Sequence, residues 1–342
     1  MRVIDGSMGE GGGQVLRTAL ALSLVTGEPF RIRNIRAGRK EPGLRRQHLT
    51  AVMAAVEVGG AEVLGAEVGS RELTFRPRRV RGGSFHWEVG TAGSVGLVLQ
   101  AVLPALLLAP EPSQIELSGG THNPQAPPFD FLVRLLFPLL ARMGAQVEGE
   151  LLAYGFYPAG GGKVRVRVKP AVRLEPLVLE ERGAVELREA VALVARLPRR
   201  VGERELSVVR EKLGWPPEVC EVREVASPGP GNAVVLTVAG EGFCEVVSSF
   251  GMRGVPAEDV AGQACKAMAR FLDARVPVGE HLADQLLVPL ALAGGGRFRT
   301  LPLSLHARTV IEVLKAFLPV EVMVAPLPGG REEVELVTGG VA

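Results

Sequence analysis

The chain has 342 residues, 47% of them apolar and 22% charged, with a formal net charge of +2. That composition excludes a disordered chain and leaves room for one large core or two smaller ones. A charge so close to neutral does not by itself point to nucleic acid, and the odd number and wide spacing of Cys220, Cys244 and Cys265 argue against a disulfide framework and a clustered zinc site.

The amino terminus runs Met-Arg-Val-Ile-Asp-Gly without a basic segment leading into an apolar one, so no secretory leader is expected and a reducing cytoplasm is the expected location. Gly9-Glu10-Gly11-Gly12-Gly13-Gln14 then feeds a helical pattern, Gln14 to Thr26. Free N–H groups at a helix start favour an anion, and Glu10 and Arg17 add a carboxylate for a divalent cation and a guanidinium on what reads as the first turn. No Gly-Lys-Ser/Thr follows, so this is not a P-loop. Next come a strand, Phe30 to Ile35, and two arginine clusters: Arg31, Arg33, Arg36, Arg39, Lys40, Arg45 and Arg46, then Arg76, Arg78, Arg79 and Arg81. They are either a solvated surface or a set of phosphate forks.

The apolar run Val95 to Ala109 contains Gln100 and Pro104 and falls short of the roughly 20 residues that span a bilayer, so it is a buried helix and no membrane is expected as partner. A strand from Gln114 to Leu117 follows, and Gly155-Phe156-Tyr157-Pro158-Ala159-Gly160-Gly161-Gly162 leads into the strictly alternating strand Val164 to Val168. Three glycines in a row suit a bulge or a close backbone approach.

The pattern is a triplication. The helical runs Gln14 to Thr26, Val95 to Ala109 and Leu282 to Ala293 each precede a short strand, the third being Arg297 to Leu301. A second helix follows each, leaving through Gly60-Ala-Glu-Val63, Gly144-Ala-Gln-Val147 and Pro319-Val-Glu-Val322. The unit reads as helix, strand, helix, strands, and the fold class as α+β: three lobes of two helices on a small β-sheet. The third lobe is interrupted. Residues 183–274 read as an inserted small α/β domain and residues 1–182 with 275–342 as the repeat domain; within the insert, Leu187 to Ala195, Glu203 to Leu213 and Ala257 to Leu272 look helical, and Ala233 to Ala239 and Phe243 to Ser249 look extended. Counting sixteen residues back from the exit valines reaches Gln47, Phe131 and His306. An imidazole therefore opens the second helix of one copy only, and this singles out His306 among the five histidines.

Taken in order, Asp5-Gly6 with Gly9 to Arg17, Arg36-Ala37-Gly38-Arg39, Arg46-Gln47-His48-Leu49-Thr50, Gly119 to Pro124, Gly155 to Gly162, Gly229 to Asn232 and Glu280 to Gln285 resemble the RNA 3′-terminal phosphate cyclases over nearly the whole chain. The resemblance implies three α+β lobes with an inserted domain, and an ATP-dependent conversion of an RNA 3′-phosphate into a 2′,3′-cyclic phosphate. His306 would take AMP from ATP, pass it to the RNA 3′-phosphate, and leave the 2′-hydroxyl to close the ring. The same resemblance gives Glu10 the divalent metal, Mg2+ or Mn2+, and gives Arg17, Arg39 and Gln47 the triphosphate and RNA phosphate. It gives Gln100 with His281, Leu282, Ala283, Asp284 and Gln285 the nucleotide. His281 departs from the tyrosine some members carry there. The expected partners are ATP and RNA with a 3′-phosphate end, and a homodimer through the insert is one role considered for it. Two rivals stand beside this reading. A cyclase-like ribosome-assembly factor would keep the fold and lose the chemistry, whereas Glu10, Arg17, Arg39 and His306 are all present. Enolpyruvyl transferases would carry more lobes and need no such histidine.

Overall fold

The computed structural model of the chain describes residues 1–338. The first lobe is β1 (Arg2–Asp5), α1 (Gly13–Thr26), β2 (Phe30–Arg33), α2 (Arg46–Gly59), β3 (Glu62–Leu64) and β4 (Leu73–Arg76). The second is β5 (Gly83–Glu88), α3 (Val95–Leu106), β6 (Ser113–Gly119), a helical stretch made of α4 (Phe129–Phe131), a π-helical turn (Leu132–Leu136) and α5 (Phe137–Arg142), then β7 (Gln146–Ala153) and β8 (Gly162–Lys169). The third opens with β9 (Leu177–Leu179). There the chain departs through β10 (Leu187–Ala195), α6 (Arg200–Leu213), β11 (Cys220–Glu224), β12 (Gly231–Gly240), β13 (Phe243–Phe250) and α7 (Ala257–Ala274). It returns as α8 (Glu280–Leu292), β14 (Gly295–Thr300), α9 (Leu305–Phe317), β15 (Val320–Leu327) and β16 (Arg331–Thr338).

The fold is α+β, and the three lobes share one topology: β1-β2-β4-β3, β5-β6-β8-β7 and β9-β14-β16-β15. In each, the first two strands of the order run parallel and the others antiparallel. A parallel pair needs a crossover, and α1 or α3 supplies it directly. In the third lobe the crossover is lengthened by a fourth sheet, β11-β10-β12-β13, with α6 and α7 on one face. The sheets lie outside and the helices inside. Gly13 through Leu24 of α1 are all buried, which an amphipathic surface helix could not be; α1 packs against α2, α3 and α9 at the centre.

Three expectations are corrected. The repeat starts one element earlier than periodicity suggests, with the short strands β1, β5 and β9. Leu187 to Ala195 is not a helix but β10, the strand flanked by β11 and β12. Its Leu, Glu and Ala residues favour a helix locally, but Ala190 to Ala195 form an unbroken buried run, and pairing along both edges overrides propensity. The gap-free count also fails in the second lobe. From helix start to exit valine, Phe129 to Val147 is one residue longer than Arg46 to Val63 or Leu305 to Val322. The π-helical turn absorbs that extra residue. The position matching Gln47 and His306, each second in its helix, is therefore Asp130 and not Phe131.

Candidate active site

The amino-terminal ends of the lobe helices meet on one face, beyond the carboxyl ends of the parallel strands. His306 near the start of α9 lies beside the loop that enters α1, with Nδ1 4.0 Å from Glu10 Oε1. Thr309, one turn along α9, locks the two together: its Oγ1 accepts the Glu10 N–H at 3.1 Å and its hydroxyl donates to the Leu305 carbonyl at 2.7 Å. Gly9 permits this approach. Its φ is +58°, and a Cβ there would stand 2.0 Å from Thr309 Oγ1. Ser304 caps α9 by accepting the Ala307 N–H at 3.1 Å, which holds His306 at the helix start.

The anion expected at the start of α1 is in part supplied by the chain. Glu10 Oε1 accepts the Gln14 N–H at 3.3 Å, and Oε2 pairs with Arg39. Glu10 is deeply set while Arg39 and His306 are half-exposed, so a buried carboxylate backs two accessible groups.

Arg17 belongs to the second turn of α1, not the first, and is buried where α1, α3 and α8 converge. Its Nε donates to Gln100 Oε1 at 2.9 Å and one terminal nitrogen to Gln14 Oε1 at 2.7 Å. Burial brings its pKa down to about 10, against the pull of Glu10 and Asp284. Asp284 of α8 accepts the Gln285 amide at 2.7 Å, and burial pushes its carboxyl up against the opposing effect of that hydrogen bond and of His281, His306 and Arg17. Beneath these residues a cavity of about 50 Å³ is lined by Arg17, Gln100, Asp284 and Gln285 among apolar side chains. That volume suits a few waters, not a nucleotide, so any nucleotide must occupy the open face above it.

Gln47 is placed differently: its Oε1 accepts the Ser94 N–H at 2.6 Å and joins the start of α2 to the start of α3. Its neighbour His48 is the residue that sequence reasoning passed over. His48 is buried, and burial followed by the surrounding Arg17, Arg36, Arg45 and Arg39 holds its pKa near 3, so the imidazole is neutral. Nδ1 accepts the Arg45 N–H at 3.3 Å, which assigns the ring proton to Nε2, and a Cβ on Gly13 would lie 2.4 Å from that nitrogen. An uncharged donor thus joins the arginines at the entrance of α1.

A family model described as RNA 3′-terminal phosphate cyclase matches residues 8–324. The chain belongs to that family. A relative of that name from Koribacter versatilis (strain Ellin345) is 52% identical over 321 residues, covering 94% of this chain and 90% of its own length. Another from Ectopseudomonas mendocina (strain ymp) is 51% identical over 321 residues, covering 94% and 93%. A third, from Salmonella enteritidis PT4 (strain P125109), is 49% identical over 320 residues, covering 93% of each.

Other segments that carried the likeness to the cyclase family make mostly internal contacts. Leu282 and Ala283 are buried in the core of α8, while His281 is exposed at its start. Gly155 to Gly162 is clamped between lobe and insert: a Cβ on Gly160 would meet Thr91 O at 2.8 Å, and one on Gly161 would meet Pro228 Cγ at 2.5 Å. Asn232 donates to the buried Glu205 at 2.9 Å and to Leu193 O at 3.1 Å. His122, fully buried between Tyr154 and Phe156, pairs with Asp130 at 2.8 Å. Cys220, Cys244 and Cys265 are free. Among the described residues no helix is long and apolar enough to cross a membrane.

For a divalent cation the donor set is sparse: among the described residues no three His, Cys, Asp or Glu side chains gather into a cage. One carboxylate completed by phosphate oxygens and water is, however, the habit of Mg2+ and Mn2+ beside a triphosphate, and Glu10 fits that habit.

Proposed function

We propose that this member of the cyclase family converts RNA 3′-terminal phosphate into a 2′,3′-cyclic phosphate at the expense of ATP, with His306 as the nucleophile. The observation that carries the reading is the accessible imidazole of His306 set against a buried Glu10, which also pairs with Arg39, next to the α1 entrance where Arg17 and His48 converge. A nucleophile beside concentrated donors for phosphate oxygens is what nucleotidyl transfer needs. Because Nδ1 faces Glu10, Nε2 is the nitrogen free to attack.

The chemistry runs in three displacements. His306 Nε2 attacks the α-phosphorus of ATP, a P–N bond forms, the bond to the β-phosphate oxygen breaks, and pyrophosphate leaves. An oxygen of the RNA 3′-phosphate then attacks the same phosphorus and regenerates the histidine, giving an RNA 3′-adenylate. The terminal 2′-hydroxyl finally attacks the 3′-phosphorus, loses its proton and expels AMP. Adenylation is what turns an unreactive phosphate oxygen into part of a leaving group. Arg17, Arg39 and His48 bind and orient phosphates; Gln100, Asp284, Gln285 and His281 border the nucleotide; Glu10 would hold Mg2+ or Mn2+, which would neutralise triphosphate charge. A cytoplasmic location accords with three free cysteines.

The test is intact-protein mass spectrometry after incubation with ATP and Mg2+ or Mn2+. The wild type gains the mass of one AMP, and His306→Ala, folded by circular dichroism, gains none. An equal adduct on His306→Ala removes the assignment. A folded wild type that forms no adduct and no cyclic end favours the ribosome-assembly reading.

A further inference from the structure

Of the two tyrosines, Tyr154 is packed against His122 and Phe156, whereas Tyr157 is 66% exposed. An exposed ring is ordinary on a flexible loop, but this loop is pinned on both sides. Toward the lobes, Gly160 touches the Thr91–Ala92 backbone; toward the insert, a Cβ on Gly231 would lie 2.1 Å from the Phe156 ring and one on Gly229 would lie 2.5 Å from Ala159 Cβ. Tyr157 is therefore a rigid, solvent-facing aromatic surface.

It is also close to the candidate site through short steps. The Thr91–Ala92 turn that Gly160 touches continues into Gly93 and Ser94, and both meet Gln47: a Cβ on Gly93 would be 2.9 Å from Gln47 Cβ. His48, next to Gln47, abuts Gly13 at the entrance of α1. The chain of contacts runs from the Tyr157 loop, through Gly160, to His48 and Arg17 at the entrance of α1.

Two exposed cations stand on elements that border this loop. Arg46 opens α2 beside Gln47, and Arg196 follows Ala195, whose ladder partner Gly231 ends the insert loop that packs on Phe156 and Ala159, the residues on either side of Tyr157-Pro158. Both are exposed and neither is ion-paired among the described residues, unlike their neighbours Arg45 and Arg199, which are tied to Glu41 and Glu203.

We propose that Tyr157, with Arg46 and Arg196 on the elements that border its loop, is a single-base stacking platform for the nucleotide upstream of the RNA 3′-terminal phosphate, so that the inserted segment holds the RNA tail while the lobes hold its end. An exposed aromatic face with these unpaired arginines on the bordering elements matches the chemistry of single-stranded nucleic acid, and every base offers a π-face to it. The platform is sequence-tolerant for that reason. This inference rests on the reading of the site as a cyclase.

The experiment compares two substrates, a short RNA with a 3′-phosphate and a nucleoside 3′-monophosphate that has no upstream base. Tyr157→Ala is expected to raise KM for the RNA by roughly 5- to 100-fold. It is expected to leave the monophosphate unchanged, to leave AMP-adduct formation with ATP alone unchanged, and to be rescued by Tyr157→Phe, which keeps the ring. An unchanged RNA KM, or an equal rise for both substrates, overturns the platform while the adduct keeps the cyclase reading intact. A wild type without any adduct overturns both.

Discussion

At the residue scale, the site is a contest between burial and charge. Arg17 keeps its proton although burial lowers its pKa to about 10, because Glu10 and Asp284 pull the other way. His48 loses its charge because burial, and after it four surrounding arginines, disfavour the imidazolium. The outcome is a permanent guanidinium and a permanent neutral donor around one entrance, a set suited to phosphate that does not titrate at physiological pH. Arg17→Ala and Arg39→Ala are expected to slow adduct formation at saturating ATP by about 10²–10³, the usual consequence of removing one preorganised donor. Single-turnover rates from α-labelled ATP measure this, and near-normal rates in both variants mean that the two arginines only brace the fold. The sequence singled out Glu10 and Arg17 through the glycine run, His306 through the repeat, and Arg39 through the likeness to the cyclase family. His48 was not, since a histidine inside a helix shows its burial only once the helix is packed.

At the element scale, the decisive contact is between two segments 300 residues apart. The loop before α1 and the first turn of α9 touch through Gly9, Glu10 and Thr309, and the touch depends on an atom that Gly9 lacks. Gly9→Ala is expected to destabilise the fold by about 1–3 kcal/mol, through the left-handed backbone and the new clash, and to weaken adduct formation by moving Glu10 away from His306. The double variant Gly9→Ala/Thr309→Ala relieves the closest contact, with Oγ1, at the cost of the hydrogen bond that Oγ1 accepts from the Glu10 N–H, so it should recover part of the stability lost in Gly9→Ala. Thermal unfolding and adduct rates measured side by side check this; a double variant worse than the sum of its parts refutes the steric account. The π-helical turn belongs to this scale as well. It adds one residue to the second lobe's helix and puts Asp130 at the position of His306, so the second lobe spends its matching position on an internal pair with His122 while the third presents an accessible imidazole.

At the scale of the whole molecule, the insert meets the lobes through a buried carboxyl. Glu245 of β13 lies against Gly279 at the start of α8, where a Cβ would be 2.3 Å from Oε2, and that oxygen has no hydrogen-bond partner among the described residues. Burial pushes its pKa up to about 8, over the opposing hydrogen bond from Gly279. The folded state therefore keeps a proton that the unfolded chain loses above its ordinary carboxylate range. Stability contributed by this group falls as pH rises from about 4.5 toward about 8 and levels off beyond. Glu245→Gln is expected to flatten that slope and to raise stability at pH 8 by on the order of 1–3 kcal/mol. Tm measured across the pH range is the check, and a parallel curve for the variant rules the carboxyl out as the source.

Much of the protein was determined by its sequence: the triplicate helices, the interrupted third lobe, the glycine entrance to α1 and the histidine that appears in one copy. These are local or periodic properties, written in the spacing of apolar residues and in chemistry that only a few residue types provide. Tertiary structure alone decided the rest. β10 is a strand because β11 and β12 pair along both its edges, against the preference of its own residues. Asp130 replaces Phe131 because a π-turn shifts the register inside an apparently regular helix. Tyr157 stands clear while Tyr154 is packed, a distinction between identical side chains that only the neighbouring lobe and insert could draw. Burial, pairing and register depend on partners far along the chain, and a sequence read from one end to the other does not reveal which distant segments will meet.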